Sequence, residues 1–235
     1  MAFRFKQFTV EDERSTMRIG TDAILLGAWA EPGPAQSILE IGTGCGVISL
    51  MLAQKCNARI DAIDVDEDSV KQAGANFRQS SWSDRLHAHL CSLQDLLASP
   101  REKYDIIITN PPFFIDSLPS PDIRKTLARH TARLGQKDLI SGVIHLLKDD
   151  GSFFLILPEG ENSKFSLLAG ESGLFLQEQL NVKPKAGKPV NRVLSRFGFT
   201  PCSMPSRKEL IIRNEDNTFT NEYIGFTLAY YFSLR

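Results

Sequence analysis

The sequence predicts a doubly wound, mostly parallel α/β sheet with an antiparallel C-terminal strand region. Three observations carry this. Short continuous apolar runs recur from residue 37 onward, helical patterns alternate with them, and after residue 174 strand-like segments follow one another without long helices between them. Continuously apolar strands belong to sheets covered on both faces, and right-handed crossovers between them wind an open sheet. Such sheets bind ligands at the carboxyl ends of their strands.

The elements follow in order. Residues 1–36 precede the first core strand. They are too few for an independent domain and are expected to lie over a ligand site, with residues 37–235 as one domain. Within them, Thr21 and Asp22 read as an N-cap that starts a helix toward Trp29, with Leu25 and Trp29 in the core. Residues 37–41 are a strand. Residues 47–55 are a largely buried helix, apolar at 47, 48, 50, 51, 52 and 53. Strand 59–63, helix 69–79 and strand 86–90 continue the alternation. Strand 104–109 is centred on Ile106-Ile107-Ile108, and helix 136–147 leads to strand 152–157. Segments 175–182, 192–199 and 208–213 complete the sheet.

Composition narrows the class. The chain has 235 residues, with 27 Lys plus Arg against 28 Asp plus Glu, so a polybasic tail is excluded while local patches stay open. The four cysteines (Cys45, Cys56, Cys91, Cys202) form no C-x-x-C pair, which argues against a zinc site or disulfide framework and for a reducing, cytoplasmic compartment. No segment approaches the 18 apolar residues of a membrane helix, and residues 1–8 lack the continuous apolar stretch of a signal peptide. No metal is expected. A monomer or weak homodimer is.

Two motifs carry chemistry. The first is Glu40-Ile41-Gly42-Thr43-Gly44-Cys45-Gly46, a strand end running into a helix start. Glycines let a backbone turn tightly and approach a ligand, and a helix N-terminus attracts a carboxylate or phosphate. The spacing is G-x-G-x-G, not the G-x-G-x-x-G of dinucleotide binders, which disfavours a dehydrogenase. Asp64 ends the next strand, where a carboxylate can accept both hydroxyls of a ribose. The alternative is a tight strand–helix turn with no ligand.

This pattern resembles the class I S-adenosylmethionine-dependent methyltransferases. The resemblance implies that Glu40, Gly42 and Gly44 line the methionine end of S-adenosylmethionine and that Asp64 holds its ribose. Many members carry Gly-Asp after the third strand to contact the adenine amine. This chain has Cys91-Ser92 there, and Asp95 is the substitute candidate.

The second motif is Asn110-Pro111-Pro112-Phe113, directly after strand 104–109. A conjugated exocyclic amine is a poor nucleophile because its lone pair is delocalised. Two acceptors aimed at its N–H groups can turn the lone pair toward an electrophile, and the Asn110 side-chain oxygen and Pro111 carbonyl make such a pair. Pro112 stiffens the loop, and Phe113 offers a face on which a base stacks, worth about 1–3 kcal/mol. The bland alternative is a proline-rich turn that caps a strand. N-P-P-F resembles the N-P-P-[FY] enzymes that methylate planar nitrogens, and Asn110 then also lies beside the cofactor.

Further stretches narrow the resemblance. Phe5-Lys6-Gln7-Phe8, Met17-Arg18-Ile19-Gly20-Thr21-Asp22 and Leu25-Leu26-Gly27-Ala28-Trp29 look like the N-terminal signature of the bacterial valine-tRNA adenine-37 N6-methyltransferases. Ala128-Arg129-His130 and Arg192 look like that family too. Thr21 and Asp22 become cofactor candidates by this resemblance, and Lys6 a substrate candidate. The implied reaction transfers a methyl group to adenine N6 of a tRNA anticodon loop, with the target nucleoside unstacked into the pocket. The alternatives are ribosomal RNA guanine N2, a protein glutamine, or a non-catalytic RNA-binding protein on the same fold. Release-factor glutamine methyltransferases usually carry an extra helical domain and a tyrosine in the fourth motif position, and this chain has neither.

Charge placement is the third signal. Residues 181–208 hold seven basic residues (Lys183, Lys185, Lys188, Arg192, Arg196, Arg207, Lys208) and no acid. Residues 123–137 hold five (Arg124, Lys125, Arg129, Arg133, Lys137), with His130 and again no acid. A charge run is commonly a solvated face. Two acid-free runs in a neutral protein point to a surface that follows phosphates. Arg129, His130, Arg133, Lys185 and Lys188 are the tRNA candidates. His87, His89 and His145 have no ligand-like spacing and receive no role.

Overall fold

The computed structural model describes residues 2–16, 18–98, 102–111 and 134–232. Two short strands, β1 (Ala2–Arg4) and β2 (Thr9–Glu11), pair antiparallel and precede α1 (Thr21–Trp29). The core then alternates: β3 (Ser37–Ile41), α2 (Val47–Ala53), β4 (Arg59–Asp64), α3 (Glu67–Gln79), β5 (Leu86–Leu90), α4 (Leu93–Leu97) and β6 (Tyr104–Thr109). It continues through α5 (Gln136–Leu146), β7 (Leu147–Leu157), α6 (Glu159–Glu171), β8 (Phe175–Lys185), β9 (Arg192–Gly198), β10 (Ser206–Arg213) and α7 (Asn221–Thr227).

β3 to β10 form one eight-stranded sheet in the order β10-β8-β9-β7-β6-β3-β4-β5. Side chains alternate between its faces, as the strand period requires. Ile38, Ile60, Ile108 and Phe154 join the cluster beneath α1, α2 and α3. Leu39, Ile63, Ile107 and Phe153 join the opposite cluster with Leu139, Val143 and Phe165 of α5 and α6. This two-sided burial is why the strands read as continuous apolar runs.

The C-terminal region completes the same sheet with the expected antiparallel element, confined to one strand. Only β9 runs antiparallel, wedged between β7 and β8, while β10 lies parallel to β8. Helix α6 was not evident in the sequence because its buried residues, Asn162, Phe165 and Ala169, make a narrow stripe with one polar member. Asn162 is buried because its Oδ1 accepts from Ser195 Oγ at 2.8 Å. Helix α3 begins two residues before the predicted start. Asp66 caps it, accepting from Ser69 N at 2.8 Å, and Glu67 and Asp68 suit the positive end of the helix. At the start of α1, Gly20 holds the N-cap position without a side-chain bond, so Thr21 and Asp22 are its first helical residues rather than the cap. No helix among the described residues is long and apolar enough to cross a membrane.

Candidate active site

The site is assembled at the carboxyl ends of β3, β4 and β6. Parallel register pairs Ile41 with Ile63 and with Thr109, so three strand ends lie level. The buried Thr109 hydroxyl donates to the Ile41 carbonyl at 2.8 Å. This bond holds the residues that follow, Gly42 and Asn110, side by side. Gly42 and Thr43 both donate their N–H to the Ile63 carbonyl, at 2.9 and 3.0 Å, which folds the glycine turn toward β4.

Gly42 and Gly46 both need the left-handed backbone, at φ +73° and +82°, but for different ends. A Cβ on Gly46 would lie 2.5 Å from Phe77 Cε1, so this glycine lets α2 pack against α3. A Cβ on Gly42 would meet nothing within 4 Å. Its bare side faces open space at the strand ends, as a close-approaching ligand requires.

Glu40 is 1% exposed. Its Oε2 accepts from Thr43 Oγ1 at 2.9 Å, from Ser49 N at 3.1 Å and from the Ser49 hydroxyl. Its Oε1 is buried and has no partner among the described residues. Burial pushes the carboxyl up to about 7 against the pull of the Ser49 and Thr43 donors, and the nearby Asp64 charge adds to the rise. An orphaned buried oxygen asks for a donor, and an ammonium group or an ordered water suits it. The residues present therefore fit a cofactor that ends in a free amino-acid group.

The pH consequence has a definite sign. The folded-state value lies above the ordinary 4.5, so the stability that Glu40 contributes is present below pH 4.5 and lost as pH rises through about 7. The loss is on the order of 3 kcal/mol for a shift of this size. Glu40→Gln is expected to gain stability relative to the native chain between pH 5 and 8. Denaturant melts of the ligand-free protein at several pH values check this, and parallel curves for the two proteins refute it.

Asp64 is half-buried. Its Oδ2 accepts from Gly44 N at 2.8 Å and its Oδ1 from Asp66 N at 3.0 Å. Burial raises its carboxyl above the usual range, against these backbone donors. Each oxygen keeps lone pairs for further donors such as ribose hydroxyls. Asn110 is half-buried and Pro111 buried at the adjoining strand end. Pro112, Phe113, Arg129, His130 and Arg133 lie outside the described residues.

Other candidates distribute unevenly. Asp22 Oδ2 takes Arg192 Nε at 2.7 Å. Because β9 is antiparallel, Arg192 lies at the carboxyl end of the sheet, and the pair brings Thr21 and Asp22 to that end. Asp95 closes a capping box on α4, accepting from Ser92 Oγ at 2.6 Å, just past the end of β5. Lys6 is not brought to the site. Its Nζ donates to the Leu228 carbonyl at 2.6 Å, beside Ala229, whose carbonyl binds Gln54 at the far end of α2. That places Lys6 at the amino-end pole, where it pins the N-terminal hairpin to the C-terminal segment.

The basic run 181–208 is largely neutralised by acids from distant positions. Lys183 pairs with Glu209 at 2.7 Å, and Arg196 and Lys208 share Glu178 at 3.6 and 3.4 Å. Lys185 donates to the Glu215 carbonyl, while Lys188 stands exposed in the β8–β9 loop. One participant had no local signature. Ser15 is buried with its Oγ 3.4 Å from Ser69 Oγ, and it lies 3.3 Å from where a Cβ on Gly44 would stand. Asn76 fastens the same strap, bonding the Glu11 N–H and carbonyl and the Cys45 carbonyl. A contact spanning 54 positions leaves no trace in spacing or periodicity. Among the described residues no cluster of His, Cys, Asp or Glu can hold a metal ion.

Comparison with known proteins agrees with this geometry. Residues 15–163 match the family described as Methyltransferase small domain. The chain is 41% identical over 235 residues to the tRNA1(Val) (adenine(37)-N6)-methyltransferase of Phocaeicola vulgatus, with 99% of this chain and 98% of that protein covered. Among solved structures, a predicted O-methyltransferase from Agrobacterium tumefaciens superposes with a TM-score of 0.67 at 17% identity, covering 89% of this chain and 96% of that one. A T. thermophilus 16S rRNA N2 methyltransferase, solved with AdoMet and guanosine, gives 0.59 at 18% identity, covering 85% of this chain and 50% of that one. These two share the class I methyltransferase fold. With its glycine turn, acidic strand ends and Asn-Pro at the fourth strand end of the core, the chain belongs to the methyltransferase small-domain family, in the branch of the tRNA1(Val) (adenine(37)-N6)-methyltransferases.

Proposed function

We propose that this protein methylates adenine N6 in a tRNA anticodon loop, at adenine 37 of a valine tRNA, with S-adenosylmethionine as methyl donor. The observation that carries the reading is the placement of Asn110 and Pro111. They stand beside the glycine turn, held there by the Thr109–Ile41 bond. The full-length relatives named for this reaction support it.

Glu40, Gly42, Gly44 and Asp64 would hold the cofactor, with Ser15, Thr21, Asp22 and Asp95 around it. When bound, the cofactor supplies an electrophilic methyl group on a sulfonium. The protein's own task is orientation. The Asn110 side-chain oxygen and the Pro111 carbonyl accept the two N–H bonds of the adenine amine, which turns its lone pair out of conjugation and toward the methyl carbon. Phe113 stacks the base. No strong general base is required, because the amine sheds its proton after transfer, and positioning and fixed dipoles carry the rate. Arg129, His130 and Arg133, which follow the N-P-P-F motif in sequence, engage tRNA phosphates together with Lys185 and Lys188. The enzyme works in the cytoplasm, where its substrate is, as a monomer or weak homodimer.

The test uses bulk tRNA from a strain lacking this gene, incubated with purified protein and labelled S-adenosylmethionine. The expected outcome is label in N6-methyladenosine, mapping to the purine 3′ of the valine anticodon. Label in N2-methylguanosine replaces the target base, and label that arises only when ribosomal RNA or a release factor is supplied instead of tRNA replaces the substrate. No label in any acceptor refutes the catalytic reading.

A further inference from the structure

A groove of about 610 Å³ runs between α3 and β5 on the flank of the molecule. Its cations are Arg14 from the N-terminal strap and Lys71 and Arg78 from α3, and no Asp or Glu lines it, while His87 and His89 of β5 form a rim shared with a second cleft that holds Asp61 and Glu102. In a chain of net charge -1 that is an uneven distribution. Arg14 and Arg78 are both exposed, and neither has a carboxylate within ion-pair distance among the described residues. The Lys71 ammonium is held above its ordinary range by Glu67, with Asp68 adding to the rise and Arg14 opposing it. Lys71 also pairs with Glu67 at 2.7 Å, an exposed i,i+4 contact of small worth, and the His89 ring turns its Nε2 to Asp61, 3.6 Å away.

Two further features shape the groove for a ligand that carries its own backbone. Gly74 stands in the middle of α3, where a glycine costs about 1 kcal/mol against alanine. A Cβ there would sit 3.4 Å from Arg78 Nη1, an ordinary contact, so the Arg78 guanidinium lies over this position at the groove wall. β5 is the terminal strand of the sheet, so its outer N–H groups are not spent on a neighbouring strand. On the opposite flank, Lys183, Arg196 and Lys208 are matched by Glu209 and Glu178.

The groove also starts in the right place. α3 follows directly on Asp64, and Ser69 in its first turn binds the strap beside the glycine turn. From there the helix extends about 20 Å toward the amino-end pole. We propose that this α3–β5 groove seats the phosphodiester backbone of the RNA substrate outside the flipped nucleotide, with Arg14 and Arg78 as its main phosphate contacts. The proposal rests on the RNA methyltransferase reading and adds a second contact region to it, away from the base pocket and the β8–β9 loop.

The test compares Arg14→Glu, Arg78→Glu and the double variant with the native chain. Lys103→Glu serves as a control of equal charge change at the amino ends of the strands, where Lys103 pairs with Asp149. Equilibrium binding of tRNA is measured across a salt series, together with cofactor affinity and turnover at saturating tRNA. The double variant is expected to bind tRNA at least tenfold more weakly, with a log–log salt slope shallower by about 2. Cofactor affinity and saturated turnover should hold, and Lys103→Glu should match the native chain. If the glutamates impair folding, Arg14→Gln and Arg78→Gln carry the same comparison, each reducing the slope by about 1. Native protein that methylates tRNA, alongside groove variants of unchanged affinity and slope, overturns the groove and leaves the function standing. Lys103→Glu weakening binding as much as the groove variants also overturns it. Native protein that neither binds nor methylates RNA overturns both.

Discussion

Asn110→Ala is expected to lower kcat on tRNA by about 100-fold or more, equivalent to about 3 kcal/mol of transition-state stabilisation. The substitution deletes one of two acceptors that direct the amine lone pair and leaves the Pro111 carbonyl in place. The half-buried Asn110 side chain follows β6 rather than belonging to it, so the strand pairing Ile41–Thr109 and the Thr109 hydroxyl bond survive. Cofactor affinity should therefore change little, and the melting temperature should stay within a few degrees. The loss belongs in kcat more than in KM, because the second acceptor matters most when the nitrogen rehybridises. Steady-state kinetics on the folded variant, with calorimetric titration of the cofactor, separate these effects. Near-native turnover by Asn110→Ala would sink the mechanism.

The parts of this site that were legible in the sequence are those whose chemistry is local. The glycine turn, the acid at the end of β4 and the Asn-Pro after β6 each occupy a few consecutive residues at a strand end, and apolar runs mark those ends. What was illegible depends on distant partners. The run 181–208 is free of acids along the chain, yet Glu178, Glu209 and Asp22 come to it through strand pairing and the α1 contact. Lys6 sits in a recognisable segment, but its destination is set by the C-terminal carbonyl of Leu228, 222 positions away. The direction of β8 was hidden for a related reason. Orientation follows from the crossover through α6, whose narrow buried stripe leaves little periodic signal. The groove beside α3 was equally invisible, because Arg14 and Arg78 are unremarkable until β5 packs against the helix.

The glycine turn offers the second large effect, because its residues do separable work. Gly46→Ala is expected to destabilise the fold by about 2–5 kcal/mol. The left-handed backbone at φ +82° costs an L-residue roughly 1–2 kcal/mol. The added methyl also collides with Phe77, whose ring is 2% exposed and cannot retreat, and overpacking of this kind costs about 1–3 kcal/mol more. For a chain of this length that corresponds to a fall in Tm of roughly 4–20 °C. Gly42→Ala carries the same kind of backbone strain at φ +73° but meets no atom within 4 Å, so it should cost only about 1–2 kcal/mol of stability. Its methyl instead enters the space that a cofactor backbone would approach, and S-adenosylmethionine affinity should fall at least tenfold. Thermal melts and calorimetric titration of the two variants therefore diverge in opposite directions, Gly46→Ala mainly in stability and Gly42→Ala mainly in binding. If Gly42→Ala binds the cofactor as the native chain does, the open face of the turn is not where the cofactor lies, and Glu40 Oε1 needs a different partner.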